Sequence, residues 1–282
     1  MQYLEDVPVD QILSIRQAPA QYASQVAIQP SAAKAWQKPK AQSERAAPKI
    51  TPEELDKLLT EIETALRQSF GAYKLASHYR SRCAAYDQHD RAVKFFQGIL
   101  ATTPGHQRAR LELACAFVDK IPTCGGMAAI VSKGTLARKS LDQLDAYLAT
   151  DPNSWIGHYT RGMNHLHWPR ALQHSGDAAK DFARCVDMQE RAGSPKLFHL
   201  RSYLGFGDAY VKNRQLEKGR QAWRQGLKAF PNSSDLKERL AIKDDKQLIK
   251  FVETQRSLDH PIDSDLSFLD AETTSVTPDR PK

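Results

Sequence analysis

The sequence contains no run approaching the ~18–20 consecutive apolar residues of a membrane span, so an integral helical membrane protein is excluded. Cysteine is scarce. Cys83, Cys115, Cys124 and Cys185 stand at long, uneven spacings that do not form a disulfide framework. The opening Met1-Gln2-Tyr3-Leu4-Glu5-Asp6 has neither a basic region nor an apolar one, so no secretory signal is expected there. A reducing, cytoplasmic setting fits both features. Strand-type alternation and hairpin turns between β-branched runs are missing, which excludes a β-rich fold. Also missing are a G-x-S-x-G elbow, zinc-finger spacing and a paired acid–base motif, so the chain does not read as an enzyme. Basic residues have few aromatics among them, which makes nucleic acid a poor fit as a partner.

What is present is helical pattern and uneven charge. Of the net +7, residues 1–50 carry +2 and residues 257–282 carry −4, which leaves +9 on the intervening body. A basic body beside an acidic tail points to acidic partners, the chain's own tail included.

Residues 1–50 read as a disordered or extended arm. From Gln17 to Pro48 the arm is rich in Ala, Gln, Pro, Ser and Lys and has no sustained apolar period to offset its ordering entropy. One island, Val7 to Ile15, could dock in an apolar groove. Order begins at Thr51-Pro52-Glu53-Glu54, where Thr51 can cap, Pro52 suits the first helical position and Glu54 completes a capping box. Leu55, Leu58, Leu59, Ile62, Leu66 and Phe70 then form one apolar helical stripe. Helices of ~12–18 residues with short turns are expected from there to about Arg256.

Within that body one unit is well marked: Tyr203, Phe206-Gly207, Ala209-Tyr210, then Gly219, Trp223, Gly226-Leu227 and Pro231. A small residue at Gly207 lets two helices cross closely, with Tyr210 expected to fill the space beside it. Pro231 cannot continue the second helix. The spacing resembles the tetratricopeptide repeat, a 34-residue helix–turn–helix unit. Three weaker copies lie upstream. The first runs from Tyr73 to Pro104, with Arg80 at its small-residue position. The second holds Leu113-Ala114, Phe117, Ser140, Leu144, Leu148 and Pro152, with about fourteen extra residues between its helices. The third holds Trp155, Gly162, His165, Ala178, Phe182 and Cys185-Val186.

The resemblance implies an all-α, right-handed α-solenoid over 51–256, with an insertion at 120–135 and capping helices from Asn232 to Arg256; the charge pattern leaves 257–282 as an acidic tail. The resemblance also implies a groove lined by first helices that holds a protein or peptide segment, which would make the chain a non-catalytic adaptor or assembly factor without a cofactor. Helical period places Ser77, Ser81, Leu111, Cys115, Tyr159, Met163, Leu204 and Asp208 along that groove, with Arg108, Arg201 and Lys212 at its rim. Such a lining suits a peptide with apolar anchors and negative charge. The Lys and Asn pattern of a carboxylate clamp is not present.

The insertion, Lys120 to Thr135, is expected to lie on the binding face and to carry the most exposed cysteine, Cys124. Its Ser132-Lys133-Gly134-Thr135 inverts the order of a phosphate loop, although amides near Gly134 at a helix start could bind an anion. Cys115 and Cys185 read as small core residues. His158, His165, His167, His174 and His199 cluster along the chain and give an alternative, a metal- or cofactor-associated accessory protein. His158 and His165 share a helix face, with Cys124 or His174 as a third ligand. Single-helix metal sites favour spacings of three or four, which the histidines do not supply among themselves. The tail alternates acidic residues with the apolar anchors Leu258, Ile262, Leu266 and Phe268, a pattern suited to docking on a basic groove.

Overall fold

Thr51 starts the first helix as the sequence implies. Its hydroxyl accepts from the Glu54 amide while the Glu54 carboxylate accepts from the Thr51 amide. The computed structural model describes residues 50–70, 73–126 and 128–272. The expected arm, with its Val7–Ile15 island, and the tail beyond residue 272 lie outside the described residues.

Among the described residues there are eleven α-helices and no strand. They are α1 (Pro52–Gln68), α2 (Tyr73–Ala85), α3 (His89–Thr102), α4 (Gln107–Lys120), α5 (Ala129–Thr150), α6 (Trp155–His167), α7 (Ser175–Ala192), α8 (Leu200–Lys212), α9 (Leu216–Ala229), α10 (Ser234–Ala241) and α11 (Asp245–Gln255).

The described residues fall into two compact units. One unit comprises 50–88 with 266–272, and the other comprises 89–265. The first candidate repeat is therefore divided, with α2 in one unit and α3 in the other. The start of the tail belongs to the repeat unit.

In the smaller unit α1 packs on α2 through Leu59, Ile62, Ala65 and Leu66, all buried. Arg80, at a position where the repeat pattern asks for a small side chain, is buried and donates to the Ser77 hydroxyl. Ser77 in turn accepts from the amide of Leu266, whose side chain is buried.

In the larger unit α4–α5, α6–α7 and α8–α9 form three successive helix hairpins, with α7 against α8 and α6 against α8. This is an all-α stack of helix–turn–helix repeats. Its best-marked unit shows how the small residues work. A Cβ at Gly207 would overlap the Trp223 indole, and one at Gly219 would come within 2.9 Å of the Gly207 carbonyl. Trp223, completely buried, fills the space beside Gly207 and donates to the Leu204 carbonyl at 3.4 Å. Tyr210, expected there, instead lies half-buried against Phe206 with ring centroids 4.8 Å apart. Beyond Pro231, α10 and α11 close the stack by burying Leu236, Leu248 and Val252 against Tyr203, Val211 and Trp223.

The 120–135 stretch is not a plain loop. A short 3-10 turn spans Ile121–Thr123, and α5 already begins at Ala129. Gly134 therefore sits in the second turn, where amides serve the helix's own hydrogen bonds, and the anion-binding reading does not hold.

Candidate functional site

Residues 256–265 follow α11 without helix or strand from His260 onward and run along a face made by α4, α6 and α8 of their own unit. The anchor is an ion cluster in the core. Asp208 is completely buried and accepts from Arg239 through Nε at 2.7 Å and Nη2 at 3.0 Å, and from Arg256 Nε at 2.8 Å. Burial alone would raise its pKa, but the two guanidiniums outweigh that and hold the carboxyl below its usual range. Lys212, on the next turn of α8, donates to the backbone carbonyls of Leu166 at 2.7 Å and Arg256 at 2.5 Å. Its burial lowers the ammonium pKa to about 8. The end of α11 is thus pinned beside the C-terminus of α6.

From there the chain meets four further holds. Asp259 pairs with Lys133 at 2.6 Å, an exposed contact of small energetic weight. Ile262 packs against the buried cluster of Val118, Ile121 and Ala137, which Leu136 and Trp168 also cover. Asp263 accepts from the Tyr159 hydroxyl at 3.2 Å and from Arg201 Nη1 at 2.5 Å. Ser264 donates to the Asp119 carboxylate. Burial, with Asp263 adding to it, pushes the Tyr159 phenol well above its ordinary range, so it stays a donor at any physiological pH.

Tyr159, Arg201, Asp208 and Lys212, singled out from the sequence, are therefore brought together around one segment. Their exposure differs from expectation. Lys212 is buried rather than at a rim, and Asp208 is closed off beneath two arginines. Leu111 and Met163 are buried inside the helix stack. Arg108 near the start of α4 and Cys124 after its end are half-buried. Cys124 is the least buried of the four cysteines, none of which forms a disulfide. Cys115 and Cys185 are core residues.

Sequence reasoning missed Asp119, Lys133, Trp168, Arg239 and Arg256. Lys133 lay in plain view but inside the failed phosphate-loop pattern. Arg239 and Arg256 reach Asp208 from elements that helical period does not relate.

The histidines do not act as one group. His158 pairs with Asp181 at 2.8 Å, where Arg161 also binds. His167 is completely buried, its Nδ1 bonded to the Met163 carbonyl at 2.8 Å. Burial, with Arg256 and Lys212 nearby, lowers its pKa to about 3. His165 and His174 meet each other, and Cys124 is not with them. No described helix is long and apolar enough to cross a membrane.

Because His167 is neutral when folded but titrates near 6.5 when unfolded, the unfolded chain takes up the extra proton first as pH falls. Its contribution to stability is complete above about pH 6.5 and is lost progressively toward its folded pKa. Acidifying from pH 6.5 to 5 is expected to lower unfolding free energy by about 2 kcal/mol through His167 alone. Urea unfolding at the two pH values, compared with His167→Gln, measures this. A pH dependence unchanged in the variant would refute the assignment.

No protein-family model matches the sequence, nor does any curated protein sequence. Among solved structures the fold is similar to that of a thermophilic TPR protein from Thermus thermophilus, at 15% identity and a TM-score of 0.48. The match covers 67% of this chain and 90% of that one.

Proposed function

We propose that the chain is a non-catalytic adaptor whose α4–α6–α8 face holds a peptide segment of a protein partner, and that residues 257–265 occupy that face in the partner's absence. The observation that carries this reading is the shared grip on Asp263. A buried phenol from one repeat and a guanidinium from the next converge on a single carboxylate, beside an apolar seat for the preceding Ile262. A carboxylate held by two donors fixes register, and an adjacent aliphatic anchor supplies desolvation energy, the division of labour expected in peptide recognition. The partner segment would carry an aliphatic residue followed by an acidic one. Tyr159 and Arg201 would contact it directly, Met163 and Leu111 would support them from within the stack, and Asp208 and Lys212 would hold the frame. Arg108 and Cys124 would meet flanking residues. Four cysteines outside any disulfide and the basic body fit a cytoplasmic protein working on acidic protein segments.

The test uses the full chain with its own segment disabled by Ile262→Asp, titrated with a fluorescent peptide of residues 257–265. Saturable binding is expected, and adding Arg201→Glu should weaken it by about tenfold or more, the cost of removing a charge-assisted contact and placing like charges together. An Ile262→Asp chain that keeps its helical circular dichroism yet binds no peptide would overturn the reading.

A further inference from the structure

The turn between α6 and α7 gathers three metal-competent side chains that the peptide-holding face does not use. His165 lies in the last turn of α6, His174 immediately precedes α7 and Asp177 lies in the first turn of α7, and one ligand atom from each lies within 4.8 Å of the others. The Nδ1 atoms of His165 and His174 are 2.8 Å apart with their rings stacked. The geometry points to a divalent transition-metal site formed by His165, His174 and Asp177, with its remaining positions open to water.

Several features support this. The His165–His174 contact requires one ring to present N–H and the other a lone pair. Moving that one proton to the far nitrogen of its ring frees both Nδ1 lone pairs for an ion without net proton release. Burial lowers the pKa of His165 to about 4 and also lowers that of His174, so protons do not compete at neutral pH. The second ring is held in place from outside. Trp168 stacks on His174 with centroids 4.4 Å apart, and its own indole N–H is fixed by the Asn164 side chain at 3.0 Å. Asp177 is exposed and its partner Lys180, at 2.9 Å, is exposed too, so the carboxylate is cheaply released. Arg138 and Arg161 disfavour added positive charge here, while Asp177 and Asp181 favour it.

The ligand types also speak to the ion. Two imidazole nitrogens and one carboxylate, with open positions left for water, form a donor set that Ni2+ accepts in octahedral or square coordination. Ni2+ is therefore the probe of choice.

The experiment titrates Ni2+ into the untagged, chelator-stripped full chain at neutral pH and follows stoichiometry by native mass spectrometry and quenching of tryptophan fluorescence. One ion per chain is expected, with quenching that disappears in Trp168→Phe. His174→Ala and Asp177→Asn should each weaken binding by about tenfold or more. Asp177→Asn, an isosteric change at an exposed position, decides the matter where His174→Ala fails to fold. Absence of saturable binding, or one ion whose affinity both substitutions leave unchanged, would overturn the site.

Discussion

Asp208→Ala is expected to lower unfolding free energy by about 3–5 kcal/mol, the cost of stripping one partner from a buried charge network. The carboxylate is completely buried and accepts three charged hydrogen bonds from Arg239 and Arg256. Arg239 is itself nearly buried, its guanidinium over the Phe251 ring at 5.5 Å. Removing the carboxylate leaves two cations facing each other, with Arg239 keeping the Asp235 carbonyl at 3.3 Å as an acceptor. The loss should concentrate in α10, α11 and residues 256–265, because Arg239 and Arg256 tie those elements to α8. Asp208→Asn, which keeps the shape and one acceptor oxygen, should fall between wild type and alanine. Urea unfolding followed by circular dichroism measures both. A loss below about 1 kcal/mol, the level of an exposed ion pair, would show that the cluster contributes no more than a surface contact.

The second large effect is a gain. Ile262→Asp is expected to raise affinity for the added 257–265 peptide by about tenfold or more over the unmodified chain, because losing a partly buried aliphatic anchor costs about 1–2 kcal/mol of the internal segment's hold. A charged side chain against Val118, Ile121 and Ala137 also sits in an apolar seat. Asp259→Ala, removing only the exposed pair with Lys133, should change affinity little. Equal peptide affinity in the wild-type and Ile262→Asp chains would mean that the internal segment does not exclude the peptide.

Local pattern made much of this structure readable. The Thr51–Glu54 capping box, the apolar stripe through Leu59, Ile62 and Leu66, and the Gly207, Gly219 and Trp223 spacing each encode a contact within one helix or one hairpin. The alternation of Asp259, Ile262 and Asp263 marked the segment that docks. Hidden from such reading were contacts between elements far apart in the chain. Asp208 looked like a groove-facing residue because period alone cannot foresee Arg239 and Arg256 closing over it. Arg80 looked like a departure from the repeat because its burial against Ser77 depends on how α2 packs. His165 and His174 come together only because the turn containing Trp168 folds back, so a spacing of nine residues carries no metal signal on a helix.

The stretch anchored at Arg256 has a further consequence for how the protein would respond to its surroundings. An occupant carried on the same polypeptide is never diluted. A short tether of this kind presents it at an effective concentration in the millimolar range, whatever the amount of protein in the cell. On the proposed reading, an incoming segment would have to outcompete that constant supply, and its apparent dissociation constant would rise in proportion to the rarity of the vacant state. With the face vacant one time in a hundred, a free partner would bind about a hundredfold more weakly than it binds the bare face. Weak, abundant look-alike sequences would then be turned away, and only partners that are tightly matched or locally concentrated would gain entry.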